Sequence, residues 1–471
     1  MANQEKFERV LSKKDVLALA FGAMIGWGWV VMAGSWVNTA GTLGAILAFV
    51  LGGIMVLFVG LTYAELTAAM PKCGGEHVFT MRALGKNASF ICTWSIILGY
   101  VSVVAFEAVT FPTVLEYLIP GYIKFKMYTI AGYDVYLTWV IVGVISSVLI
   151  TVVNYFGVKT ASFFQALVTL LIALVGLSFF GGAIVNGSSE NIMPLFKDGA
   201  KGVLAVAVMT PFMYVGFDVI PQAAEEINLP FKKIGQILLL SVVMAIAWYV
   251  MIVYGVSLAL DSASMESSKI VTADAMKAVY NGSPLAAKVI IIAGIGGIVT
   301  SWNSFFVGGS RAIYSMAESK MLPEFLAKLH TKHKTPTNAV LLIGIVSSLA
   351  PLLGRKMMVW LVDAGGFTIV VAYLLVAISF VVLRFKEPNM ERPYVVKNGL
   401  LVGALAIMLS GACSLLYLPG APSALVPIEW VIVLGWFLLG FIFYGWAKVV
   451  YKHKFGKHEE AHSEDVINAT L

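Results

Sequence analysis

Twelve apolar stretches follow one another along the 471-residue chain, with only short polar pieces between them. Each is about 20 residues or longer, the length a helix needs to cross the hydrocarbon of a bilayer. Read by hydropathy they fall at 16–39, 42–70, 90–119, 136–156, 161–186, 202–227, 234–260, 286–315, 337–354, 357–384, 399–419 and 426–450. The runs are long and continuous, so helices are expected and a β-barrel of ten-residue alternating strands is not. Composition agrees: 59% of residues are hydrophobic and 12% charged, against about 25% charged in soluble chains. The fold class expected is an all-α polytopic membrane protein with 12 transmembrane helices.

Lysine and arginine set the orientation. With the N-terminus inside, 23 of the 32 basic residues fall on cytoplasmic pieces. Both ends are therefore expected in the cytoplasm and the protein in a plasma (inner) membrane. The net charge of +6 suits the anionic inner leaflet of the lipid bilayer and is spread too thinly for nucleic acid. "MANQEKFERVLSKKD" is polar, and the apolar run after it is too long for a cleaved leader. Cys73, Cys92 and Cys413 are placed where no disulfide is expected. The organisation expected is a cytoplasmic segment 1–15, a core 16–385, two further spans within 386–452 and a tail 453–471, the whole a monomer. The tail histidines are too loosely arranged for a metal site, and neither a metal nor a cofactor is expected.

Within the first run, "FGAMIGWGWVV" (21–31) puts three glycines and two tryptophans in eight positions. Gly22 and Gly26 have the small-xxx-small spacing of close helix packing. Gly26-Trp27-Gly28 also reads as a hinge. Each glycine weakens a helix by about 1 kcal/mol relative to alanine, and unwound backbone at membrane depth is tolerated only where it lines a cavity. Amides freed at the start of the second half-helix favour an anion, and carbonyls freed at the end of the first favour a cation. Broken helices in transporters come in pairs, one per inverted repeat. The sixth run supplies the second, with Pro211, Gly216, Asp218 and Pro221 in eleven residues. Runs 1 and 6 each open a block of five, so the chain reads as a 5+5 inverted repeat, spans 1–5 and 6–10, plus two extra helices. The site is expected between spans 1 and 6.

"GAMIGWGWVV", "MPKCGGEHVFTMRALG", "YVGFDVIPQAAEEINLP" and "GGSRAIYSMAESKMLPEFL" together resemble the signatures of the amino acid–polyamine–organocation permeases, of LeuT-like fold, in the right order across residues 15 to 385. The resemblance implies alternating access with a small amine or amino acid held at the hinges. It implies that the amides of Gly26–Gly28, beside Ile25, meet a carboxylate. The carbonyls of Met24, Phe212 and Val215, next to Gly216, would meet an ammonium, with Phe212 as a lid and Phe305 as an aromatic neighbour. Trp27 departs from the usual small hinge residue, facing either the bundle or the ligand. Ile172 stands where some proton-coupled members carry lysine.

Ionisable groups inside spans are functional candidates. Glu107, mid-depth in span three, is expected to pair with a cationic group, to carry a proton, or to lock packing. Asp218 is expected to orient freed amides or to be structural. Glu225 and Glu226 read as inner-mouth charges, either solvated or gating a helix, Asp363 as part of an outer gate and Glu65 as interfacial. Thr300, Ser301, Asn303 and Ser304 form a polar turn: its hydroxyls either bond their own helix or contribute to a sodium site, so Thr300, Ser301, Ser304 and Glu107 are the coupling candidates. An enzyme is disfavoured, since the chain has no HExxH, nucleophile elbow or P-loop. The expected function is secondary transport of cationic or small amino acids by proton symport or exchange. Amines such as putrescine or ethanolamine are the alternative, and a non-transporting nutrient sensor is a further one.

Overall fold

In a computed structural model of the chain, residues 7–421 and 423–456 are described. Part of the expected cytoplasmic head and most of the tail thus lie outside the described residues. The helices in order are α1 Lys13–Met24, α2 Gly28–Val31, α3 Ala33–Ala40, α4 Thr42–Ala69, α5 Glu76–Leu84, α6 Lys86–Leu118, α7 Leu137–Tyr155 and α8 Val158–Asn186. There follow α9 Gly199–Ala207, α10 Thr210–Tyr214, α11 Val219–Gln222, α12 Phe231–Ala259, α13 Ser262–Ser267, α14 Val271–Val279 and α15 Pro284–Glu318. The last are α16 Thr337–Leu349, α17 Lys356–Lys386, α18 Gly399–Leu415 and α19 Pro427–Tyr451. The chain is an all-α polytopic bundle: nine of the described helical stretches are long and apolar enough to cross a membrane. Of the other three expected spans, the first is in pieces (α1–α3), and Thr337–Leu353 and Gly399–Leu415 are shorter apolar helices.

Two interruptions shape the centre. In the first, α1 makes its last helical bond from Ile25 N–H to the Phe21 carbonyl, 3.1 Å, and α2 restarts at Gly28. In the second, α10 carries Pro211 in its first turn and ends at an extended Val215. Gly216 then takes φ +137°, a region open to glycine and strained for other residues. The breaks touch: a Cβ on Gly216 would stand 2.6 Å from that of Ala23 and 3.1 Å from Met24 N. Gly297 lets α15 close on the first break, since a Cβ there would meet the carbonyls of Ile25 and Gly26 at 2.7 and 2.8 Å.

Around this centre α6 is the axle, 83% enclosed over its most apolar window, whereas α19 is 17% enclosed and faces outward. Yet α19 is fastened to α6. Trp94 and Trp436 stack at 4.4 Å, and each indole N–H donates to the other's carbonyl at 2.8 Å. Beyond them Tyr444 hydrogen-bonds Asn87, and Lys86 Nζ donates to the Phe455 carbonyl at 2.7 Å.

One element has no helical reading. Lys126–Ile130 and Tyr133–Tyr136 form an antiparallel hairpin, β1 and β2, turned by Ala131 and Gly132, both at positive φ. The sequence reading missed it because it treated the polar stretch between spans as loop. All three cysteines are free and buried.

Candidate functional site

A cavity opens where the two breaks meet α6, α12 and α15. Its walls are Ala23, Met24, Gly26, Trp27 and Gly28 from the first break, and Phe212, Met213 and Val215 from the second. Val103, Phe106 and Glu107 of α6, Tyr249 of α12, and Ser301 and Phe305 of α15 complete it. The cavity is small, about 30 Å³ in volume.

The backbone supplies polarity at one side. The N–H groups of Gly26, Trp27 and Gly28 have no acceptor among the described residues. Nor does a donor among them reach the carbonyls of Phe212 and Val215, because the Gly216 N–H that would close the turn is taken by Asp218 Oδ1 at 2.8 Å. Unpaired backbone groups in a low-dielectric interior are costly, and here they converge on one space. The Met24 carbonyl differs from its expected role: it already accepts the Tyr249 hydroxyl at 2.7 Å.

Glu107 is the acid of the site. It is 2% exposed, and its Oε2 has no hydrogen-bond partner among the described residues. Its Oε1 and the Ser301 hydroxyl stand 2.9 and 3.2 Å from where a Cβ on Gly26 would be. The carboxyl therefore lies against the hinge itself, and only a residue without Cβ leaves room for it. The rest of the lining is apolar, and the Phe212 ring meets Phe106 edge-on at 6.3 Å.

Ile25, Gly216, Asp218, Thr300 and Ser304, also expected at the site, do not line the cavity. Ile25 is buried, its carbonyl taking the Trp29 indole N–H at 3.3 Å. Gly216 shapes the second break from behind. Asp218 is fully buried, holding Gly216 N–H with one oxygen and the Tyr373 hydroxyl, at 3.3 Å, with the other. It thus orients a freed amide. Thr300 and Ser304 look away from the cavity toward α1, whose Gly22 and Leu19 carbonyls accept their hydroxyls at 3.1 and 2.8 Å. Trp27 does both things expected of it as alternatives: it lines the cavity and its ring packs on Gly294, where a Cβ would come within 2.8 Å of Cε3. Ile172 is a buried residue beside Gly296.

Tyr249, Met213, Phe106 and Val103 were not read from the sequence. They sit in apolar stretches whose helical phase toward the centre depends on how the bundle assembles. The Met213 sulfur stands 2.8 Å from a Cβ built on Gly28, so the thioether packs against that glycine.

At the end of the bundle carrying the N-terminus, the chain folds back onto the second break. Val10 and Leu11 N–H both donate to the Glu226 carbonyl at 2.9 Å. The Glu226 side chain takes Arg311 in a two-point pair at 2.6 and 3.0 Å, 4% and 1% exposed. Phe7 lies over that guanidinium at 5.9 Å. Glu226, read as a solvated or helix-gating charge at the inner mouth, is therefore buried and paired rather than solvated. Glu65, read as interfacial, is also buried and bound by Arg384 and Arg392 at 2.5 and 3.1 Å.

Comparison with known proteins points the same way. A family model described as amino acid permease matches residues 11–446. The chain is 27% identical over 466 residues to the branched-chain amino acid permease BcaP of Bacillus subtilis (strain 168), covering 94% of both. It is 26% identical over 451 residues to that organism's methylthioribose transporter, again 94% of both. To the human cationic amino acid transporter 4 it is 24% identical over 395 residues, 82% of this chain and 61% of that one. The relatives are permeases and transporters, not enzymes. A match that takes in both breaks, Glu107 and the closing pair leaves one conclusion: the chain belongs to the amino acid permease family.

Proposed function

We propose that this chain is a secondary active transporter that carries a small, neutral amino acid across the plasma membrane by alternating access. The observation that supports this reading is the meeting, on one small cavity, of three unengaged amides and one unengaged carboxyl oxygen. Amides of Gly26, Trp27 and Gly28 suit a carboxylate. Glu107 and the carbonyls of Phe212 and Val215 suit an ammonium close beside it. Because Glu107 abuts Gly26 rather than the far wall, it fits the α-ammonium better than a second charge on the side chain. That shifts the choice among small and cationic amino acids toward the former, as do the apolar walls. The branched-chain relative supports the same class. Amines without a carboxylate leave the three amides unmatched.

In the same reading, the twelve spans form a 5+5 inverted repeat with two extra helices. The termini are cytoplasmic, the Glu226–Arg311 closure is the inner gate, and the unit is a monomer in the bilayer. Transport runs by proton symport or by exchange, and vesicle uptake with and without a pH gradient or internal substrate separates the two.

The test is ligand stabilisation of purified protein. A ligand that binds the folded state raises its stability by RT ln(1 + [L]/Kd). Small neutral L-amino acids are expected to raise the unfolding temperature, and their α-hydroxy acids and decarboxylated amines to do so far less. Equal stabilisation by the amines would overturn the carboxylate site.

A further inference from the structure

The half of span six ahead of the second break is itself bent. α9 stops at Ala207 and α10 starts at Thr210, with Val208 and Met209 in a turn between them. Pro211 is the local cause, because it has no N–H to return to the Ala207 carbonyl. Carbonyls freed in this way at membrane depth need other donors. Thr210 supplies the first from its own turn, its hydroxyl meeting the Ala207 carbonyl at 2.7 Å. The second donor comes from far along the chain. The Val208 carbonyl accepts no backbone N–H among the described residues and takes the Tyr417 hydroxyl at 3.0 Å, across 209 positions.

Tyr417 stands just past the end of α18 and is buried. Its ring meets Phe367 of α17 at 5.8 Å, and Phe367 meets Trp430 of α19 at 5.5 Å. Gly366 seats the hydroxyl, since a Cβ there would stand 3.1 Å from it. The same Cβ would stand 3.8 Å from that of Phe212, one of the walls of the cavity. The bond therefore closes the bend one turn ahead of Phe212 and beside its root. The two hydroxyls differ in what they join. The Thr210 bond lies within the half-helix and travels with it. The Tyr417 bond ties that half-helix to α18 and must break if the two part. Another long-range tie, from the Tyr214 hydroxyl to the Phe49 carbonyl of α4 at 2.9 Å, lies beyond the bend. One neutral hydrogen bond contributes little net stability, so it can be made and broken within a transport cycle.

We propose that Tyr417 is a positioning residue for transport: its hydroxyl latches the bent half-helix that carries Phe212, holds the cavity closed, and lets go when that half-helix swings away. The inference rests on the proposed transport reading. It adds to that reading a part for α18 and α19, the two helices beyond the repeats.

The experiment is backbone hydrogen exchange of purified full-length protein, without amino acid, in wild type and Tyr417→Phe. Failure of the substrate assignment therefore does not affect it. Peptides over 204–216 are expected to exchange roughly 2- to 10-fold faster in the variant, as the loss of one hydrogen bond implies. Peptides over 399–420 are expected to change little. Tyr128→Phe deletes a hydroxyl bonded to the Leu352 carbonyl at 2.7 Å and should leave 204–216 as in wild type. Unchanged exchange over 204–216 in Tyr417→Phe would overturn the proposal. So would a rise confined to 399–420, which marks a merely structural tyrosine, or an equal rise in Tyr128→Phe. In vesicle uptake of L-alanine, the half-saturation concentration of Tyr417→Phe is expected to rise by a similar factor at an undiminished maximal rate. A lower maximal rate at unchanged half-saturation would also overturn the latch. Absence of alanine uptake by wild type counts against the substrate reading alone, and exchange still decides the latch. Should Tyr417→Phe fail to fold, Gly366→Ala, which keeps the tyrosine but crowds its hydroxyl, is read in the same way.

Discussion

Replacing Glu107 by glutamine tests the polarity of the site at its most exposed claim. The side chain is 2% exposed, so solvent screens it little, and Oε2 has no partner to lose among the described residues. Glutamine keeps the shape that fits between Gly26 and Ser301. The change therefore leaves packing nearly as it was and replaces the carboxyl by a neutral amide. A hydrogen bond to a charged partner is worth about 1.5–3 kcal/mol, which is roughly 10- to 150-fold in affinity at 1.4 kcal/mol per decade. The new amide also turns a donor toward the ammonium, which pushes the loss to the upper part of that range. The assay is competition: an amino acid and its α-hydroxy analogue are each titrated against labelled substrate uptake, in wild type and in Glu107→Gln. The amino acid is expected to weaken by that factor and the hydroxy acid to change little, so the preference between them collapses. Equal weakening of both ligands would show that Glu107 supports the fold and does not read the ammonium. No change in either would remove it from the site.

Gly26→Leu is expected to cut uptake at least tenfold while wild-type amounts of folded protein persist on size exclusion. The new Cβ collides with Glu107 Oε1, and leucine regains about 1 kcal/mol of helix preference. Arg311→Met strands a buried Glu226 and is expected to cost about 3–5 kcal/mol. Adding Glu226→Leu should restore most of it, as read by denaturant midpoints in detergent. Outside the spans, Glu387 is held below the usual carboxylate range by the hydrogen bond from Arg82. A lowered folded value means the contribution is present above the unfolded value of about 4.3 and lost as pH falls through the folded one. The difference in thermal midpoint between wild type and Glu387→Gln should therefore be constant near pH 7 and vanish on acidification below about pH 4.

The breaks were legible because they are local: Gly26, Gly28, Pro211 and Gly216 act through their own backbone preferences. Glu107 was legible because an acid in an apolar run has few reasons to be there. What the sequence concealed depends on rotation and neighbours. Tyr249 lies in an apolar helix with nothing to mark which face meets the hinge, and its bond to Met24 spans 225 positions. Gln165 lies in a largely apolar run, and its bonds to Ala18, Thr300 and Asn303 form only once the bundle assembles. The burial of Glu226 was hidden for the same reason, because it depends on Arg311 and on the N-terminal residues folding back. The hairpin was lost to a different cause, a polar stretch too short to show its alternation.

The paired indoles of Trp94 and Trp436 give an experimenter a handle. The middle of α6 is buried, so no dye can be placed near Glu107 without damage, but α19 is lashed to α6 through Trp94 and Trp436, and Lys86 of α6 holds the Phe455 carbonyl. A spin label or fluorophore on the outward flank of α19, at Val449 for example, 73% exposed, would be carried by the helix that bears Glu107. The outermost rod thereby becomes a pointer whose tip registers displacement at the hub.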